Sequence, residues 1–161
     1  MALEQMDEAE LQRLVVLARE GDSVAFERIY EQFFLPVYRY TAFRAQKELV
    51  EDLVADVFVK VWEKLHQYKA QKGVPFGAWI FRIARHTVID SYRKERDFEE
   101  IPEEMADPDA YNRADTRTHS KDLLRIMQGA LNELPRRYRE ILLLSYVADL
   151  PTHEVARVLR L

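Results

Sequence analysis

Apolar residues recur at helical spacing through most of this chain, and little interrupts them. Residues 47–65, KELVEDLVADVFVKVWEKL, show the pattern most plainly. Leu49, Leu53, Val57 and Val61 form one stripe; Val50, Val54, Phe58 and Trp62 or Leu65 form an adjacent one. That spacing predicts a helix with one buried side. Only 4 Gly and 6 Pro occur in 161 residues, so few positions can turn the backbone sharply. Ala, Leu, Glu and Arg are plentiful, and 48% hydrophobic content suffices for a core. The expected fold class is all-α.

The same periodicity places the other elements. DEAELQRLVVLAREGD (7–22) reads as a short helix stopped by Gly21. SVAFERIYEQFFLPVYRYTAFR (23–44) restarts with Ser23 placed to cap, and Pro36 predicts a kink or a split. HQYKAQKGVP (66–75) breaks the third helix, and Pro75 suits the first position of a fourth. After Arg96 roughly twenty residues are acidic, proline-punctuated and aperiodic, which predicts a flexible linker. Helical pattern returns at 119–132, again after Pro135, and again from about 151. Two small helical modules joined by an acidic tether follow: 1–96, the linker 97–118, and 119–161.

Several function classes are excluded or disfavoured. There is no cysteine, so nothing argues for disulfides, thiol chemistry or a thiolate metal site. No apolar run approaches the roughly 18 residues a bilayer span needs, so no membrane insertion is expected. The N-terminus is acidic and amphipathic, unlike a signal peptide, and a reducing cytoplasm is the default location. HEVAR (153–157) lacks the second histidine of a zinc-protease motif, and His66, His86, His119 and His153 are scattered. No glycine-rich phosphate cradle occurs. The reading is of a protein that is not an enzyme and takes no metal or cofactor.

The net charge of −4 hides a segregation of charge: acids gather at 97–115, bases at 82–96 and 136–139. On a helical wheel of FGAWIFRIARHTVIDSYRKER (76–96), Phe76, Trp79, Ile80, Ile83, Ala84 and Thr87 fall on one side. Arg82, Arg85, His86, Arg93 and Arg96 fall nearly opposite. The apolar side reads as packing. The basic side reads as solvated surface or as a phosphate-binding strip, since arginine forks match phosphate oxygens. In the preceding loop Tyr68, Lys69, Lys72 and Phe76 combine aromatics with cations, as platforms for single-stranded bases do. Ordinary packing is the competing reading of each ring.

Together these stretches resemble one family, the extracytoplasmic-function (ECF) group of bacterial RNA polymerase sigma factors. EDLVADVFVKVWEKL (51–65) followed by FGAWIFRIARHTVIDSYRK (76–94) resembles the family's region 2. ALNELPRRYREILLLSYVADLPTHEVARVL (130–159) resembles the start of its region 4, a helix-turn-helix. The resemblance implies a transcription initiation factor that binds core RNA polymerase and opens the promoter's minus-ten element. It implies that Glu51, Asp52, Asp56, Val59 and Trp62 meet the clamp helices of the polymerase's largest subunit. It implies that Lys69, Lys72, Phe76, Arg82, Arg85, His86 and Arg93 hold the non-template strand, and that an anti-sigma partner regulates the chain. Strand capture by this reading is binding, not catalysis: unstacking costs a few kcal/mol, and stacking returns about 1–3 kcal/mol per base.

The chain departs from the family's pattern at several positions. Ala55 stands where glutamine is frequent, His86 where asparagine is common, Pro151 where a serine cap is common, and Arg160 where the turn wants glycine. A left-handed arginine costs more than a glycine. The recognition helix that would enter the major groove is not in the sequence, which makes 119–161 a partial region 4 helix-turn-helix, so 151–161 is expected to fray or to be held by another protein. The alternative function is a helical adaptor that binds polymerase or an anti-sigma protein without reading promoters. The acidic tether reads as a soluble spacer or as a mask over the basic helix.

Overall fold

The computed structural model describes residues 6–70, 74–95 and 119–161, and every regular element among them is helical. The helices are α1 (Glu8–Arg19), α2 (Ser23–Ala42), α3 (Val50–Lys64), α4 (Phe76–Glu95), α5 (His119–Glu133), α6 (Arg136–Leu142) and α7 (Thr152–Leu159). The acidic tether expected at 97–118 lies outside the described residues.

Local chemistry sets the boundaries. Asp7 caps α1 by accepting from the Glu10 N–H at 2.7 Å. Gly21 then turns the chain at φ +94°, a conformation that costs glycine little. The cap of α2 is Asp22 rather than Ser23. Its Oδ1 accepts from the Val24 and Ala25 amides at 2.9 and 3.1 Å. A carboxylate there meets two orphan donors at the positive end of the helix, which a hydroxyl one residue later cannot. Pro36 does not split α2, which runs unbroken to Ala42. A proline inside a helix costs about 3 kcal/mol. Val37, Tyr38, Tyr40 and Ala42 are buried immediately beyond it, and at about 1.5–3 kcal/mol per large side chain their packing offsets that cost.

Helices α1 to α4 pack in sequence, α1 on α2, α2 on α3 and α4, and α3 on α4. Ile29, Tyr40, Val57, Val61, Phe76, Ile80 and Phe81 are fully buried between them. Of the two stripes read along 47–65, Val50, Leu53, Val54, Val57, Phe58 and Val61 are inside, Leu49 is partly buried, and the last place falls to Leu65, since Trp62 is exposed.

In the second module α6 runs into one π-helical turn, Leu143–Val147, whose Leu143 and Leu144 are fully buried. Arg139, one of the basic cluster at 136–139, is buried. Its guanidinium donates to the carbonyls of Leu131 at 2.9 Å and of Asn132 and Leu134 at 3.2 Å. It thereby satisfies the free carbonyls at the end of α5.

The last segment is helical and packed within the chain. Helix α7 buries Val155 and Val158 and packs against α4 of the first module. Arg160 closes it in the left-handed conformation, φ 57° and ψ 47°, where the family pattern wants glycine. That conformation costs a non-glycine residue about 1–2 kcal/mol.

Candidate nucleic-acid interface

The aromatic loop is a buried cluster rather than a stacking platform. Phe76 is fully buried, and Tyr68 is 2% exposed. Their rings meet edge-on at 4.9 Å, and Phe76 also packs on Phe33 at 5.9 Å and Trp79 at 5.4 Å. The Tyr68 hydroxyl donates to the Val74 carbonyl at 3.2 Å. The assignment of Phe76 to base stacking is therefore corrected: it shares the wheel side of Trp79 and Ile80, and α2 supplies Phe33 to cover it. Lys69 remains exposed at the end of this cluster. Lys72 lies outside the described residues.

Arg82, Arg85, His86 and Arg93 are less buried than the apolar side of α4, but Arg82 and Arg85 are engaged within the molecule, and Arg96 lies outside the described residues. Arg82 is half-buried and forks onto the Arg157 carbonyl of α7, Nε at 3.0 Å and Nη2 at 2.6 Å. Arg85 pairs with Glu140 of α6, Nε to Oε2 at 3.4 Å. Arg44 pairs with the same carboxylate, and the Tyr40 hydroxyl donates to it at 3.3 Å. The Glu140 side chain is 3% exposed, that of Arg44 8% and that of Arg85 26%. Burial holds the Arg85 guanidinium below its ordinary range, and Arg44, Arg136 and Arg160 push the same way against Tyr40. His86 is exposed, yet partial burial and then Arg85 lower its pKa below the usual 6.5. Arg93 is exposed and makes a loose 3.9 Å pair with Asp90.

Arg82, Arg85, His86, Val158, Leu159 and Arg160 together line a cavity of about 170 Å³ between α4 and α7. Four of those six side chains are cationic or can become so, which concentrates positive potential at one point on the molecule.

On the other side of the bundle, α3 turns a mixed face outward. Glu51, Asp52, Ala55 and Asp56 are exposed along its first two turns, and Val59 and Trp62 follow at 54% and 43% exposure. Trp62 leans edge-on against Phe26 at 4.8 Å, which fixes the ring while leaving it accessible. The five residues assigned to this face by resemblance therefore share one outward strip of α3, with its apolar end at the C-terminus.

Residues 29–98 match the family Sigma-70 region 2, and residues 124–161 match Sigma-70, region 4. The ECF RNA polymerase sigma factor SigD of Mycobacterium bovis is 32% identical over 162 residues, covering 91% of this chain and 72% of SigD. The chain belongs to the ECF sigma factors. SigM of Bacillus subtilis, another ECF sigma factor, is 27% identical over 139 residues, 86% of this chain and 83% of SigM. The solved structure of CnrH in complex with the cytosolic domain of CnrY shares the fold. It is 24% identical with a TM-score of 0.71, over 94% of this chain and 84% of that one.

As a sigma factor the chain is a transcription initiation factor. Its site includes groups that no local pattern singled out. Glu140 and Arg44 form the buried ion pair between the region 2 and region 4 parts, 96 positions apart in sequence by their numbers. The one signal was positional: Glu140 stands where the buried run Leu143–Leu144 would continue one turn earlier, and a charge on such a stripe calls for a buried partner. Glu154 is a second case. It lies against Gly77, where an added Cβ would sit 2.7 Å from its Oε2. Burial, the main cause, raises its pKa above the usual 4.5; Glu8 adds to the rise and His153 opposes it.

Proposed function

We propose that this sigma factor holds the opened non-template strand of the minus-ten element along the basic side of α4 while α3 docks on core RNA polymerase. One observation carries the reading. Arg82, Arg85 and His86 stand together on one side of α4, whereas Phe76, Ile80, Ile83, Ala84 and Thr87 on the other are buried. The helix thus has a rigid root and a cationic edge, and a strand's phosphates need both position and charge. Lys69 before α4 and Arg93 near its C-terminal end are also exposed cations. With Phe76 inside the core, the binding energy comes from phosphate contacts more than from stacking on this ring. On α3, Glu51, Asp52 and Asp56 suit a basic partner surface, and Val59 with Trp62 supplies the desolvated centre such an interface needs.

We also infer a protein inhibitor for this chain. Leu123, Ile126 and Met127 lie at helical spacing on α5 and are exposed, an apolar stripe suited to a partner helix. The apolar strip of α3 is the second surface such an inhibitor would cover.

The strand reading is tested with core polymerase and a promoter carrying a premelted minus-ten bubble. Replacing Arg82 and Arg85 by Ala should weaken strand binding and reduce the salt slope by about 0.7 for each lost phosphate contact. Far-UV circular dichroism of the variant should stay helical. Polymerase binding with undiminished strand affinity would transfer the assignment to the adaptor reading.

A further inference from the structure

We propose that the cavity lined by Arg82, Arg85, His86 and Arg160 is a binding site for one free phosphate dianion, either inorganic phosphate or the phosphate of a small phosphomonoester. The inference stands on the cavity and its charges, and it does not need the strand reading of α4.

The space is large enough. The cavity measures about 170 Å³, roughly ten times the ~10–15 Å³ that one water needs. Positive charge is in excess around it. Glu140 is shared between Arg85 and Arg44. Asp90, which favours a charged His86, is also paired with Arg93 at 3.9 Å. The Arg82 fork ends on the Arg157 carbonyl, which satisfies its hydrogen bonds and cancels none of its charge. Arg44, Arg136 and Arg160 act on Arg85 as like charges, and Arg85, Arg160 and Lys64 act on His86 in the same way. Burial first, and then these neighbours, hold both groups below their ordinary ranges. A dianion between them would reverse the second cause.

Two further observations point to an oxyanion. The Arg85 Nε is buried with no hydrogen-bond partner among the described residues, Glu140 Oε2 lying 3.4 Å away. An unmet buried donor is costly, and a phosphate oxygen accepts from such a donor more strongly than a neutral group does. Arg160 is the other. It holds the left-handed conformation, φ 57° and ψ 47°, at the end of α7. Glycine would close the helix there at less cost, but it would bring no cation to the cavity. Strained residues of this kind persist where surrounding structure holds them, often at ligand sites. Three guanidinium groups around one small volume suit an anion with several oxygens, because each fork matches a pair of them.

The test uses the full chain in phosphate-free buffer, titrated with sodium phosphate and, at matched ionic strength, with sodium chloride. Calorimetry reads affinity, and thermal unfolding reads the rise in melting temperature that binding to the folded chain produces. Phosphate should bind one-to-one and raise the melting temperature where chloride does not, and sulfate, of the same shape and charge, should compete with it. Adenosine monophosphate separates the two sources: binding like that of phosphate assigns the site to phosphomonoesters, and no binding assigns it to the free anion. Arg160→Gly should weaken phosphate binding at least about tenfold, as loss of one charge-assisted contact does. It should nevertheless melt no lower than the parent without phosphate, because the backbone strain is relieved. Arg160→Lys should keep most of the affinity and Arg160→Gln should lose it, which separates charge from backbone. The His86 ring, followed by NMR, should titrate at higher pH when the chain is saturated with sulfate. Phosphate that acts only as chloride does, an unmoved His86, or equal affinity in Arg160→Gly would each overturn the site. Single-stranded DNA binding tests the reading of α4 separately: a chain that takes phosphate through Arg160 but ignores the strand keeps this site and loses that reading.

Discussion

Glu140→Ala is the perturbation with the largest consequence that the structure allows to be worked out. The carboxylate is 3% exposed and faces Arg44, whose side chain is 8% exposed, and Arg85, at 26%. It also accepts from the buried Tyr40 hydroxyl. Alanine leaves Arg44 charged and enclosed, with the Tyr40 and Tyr92 rings 5.9 and 5.8 Å away and the Tyr92 hydroxyl for partial compensation. Removing one partner of a buried pair costs about 3–5 kcal/mol. Arg85 keeps some water, so the lower end, about 3 kcal/mol, is expected. For a chain of this size about 2–4 °C are lost per kcal/mol, so the melting temperature should fall by about 6–12 °C. Thermal unfolding followed by circular dichroism measures it. A second variant separates lost pairing from lost shape. Arg44→Met with Glu140→Leu removes both charges, and should recover most of the loss, since apolar replacement of a buried pair is often neutral. If Glu140→Ala stays within about 0.5 kcal/mol of the parent, as harmless surface changes do, the pair is not buried in solution and the two modules are not joined as described.

Two further predictions address the other surfaces. Val59→Glu should cost little stability, because Val59 is 54% exposed, yet lower affinity for core polymerase at least about tenfold, or about 1.4 kcal/mol; undiminished binding in a fluorescence titration would clear α3 of that role. The pKa of Glu154 is raised by burial. Its contribution is therefore fully present below the unfolded value near 4.5 and is lost as pH rises through the higher folded value. Glu154→Gln should raise the melting temperature at pH 7 and flatten its decline across that window, and a variant that melts like the parent at both ends would contradict the burial.

What could be read before the structure depended on how far apart the deciding residues lie. The two-sided nature of α4 follows from its own spacing, and Phe76, Ile80, Ile83, Ala84 and Thr87 are buried as the wheel requires. The stop at Gly21 and the left-handed strain at Arg160 are equally local. Asp22 displaced Ser23 as cap because two good capping residues stand side by side and only geometry chooses between them. Tyr68 and Phe76 were open to two readings because the residue that covers them, Phe33, comes from a different helix. The fate of Arg82 and Arg85 was beyond local reasoning altogether. Arg82 meets a backbone carbonyl, a partner that carries no side-chain signature, 75 positions away. Pairing of helices this far apart in sequence is a tertiary choice, and helical periodicity is blind to it.

A photoreactive side chain in place of His86 asks most directly what lies on the basic side of α4. Position 86 borders Val158, Leu159 and Arg160. In the free chain illumination should mark α7; in a complex with core polymerase and an opened promoter it should mark the non-template strand instead. The absence of any DNA adduct in the promoter complex would contradict the strand face.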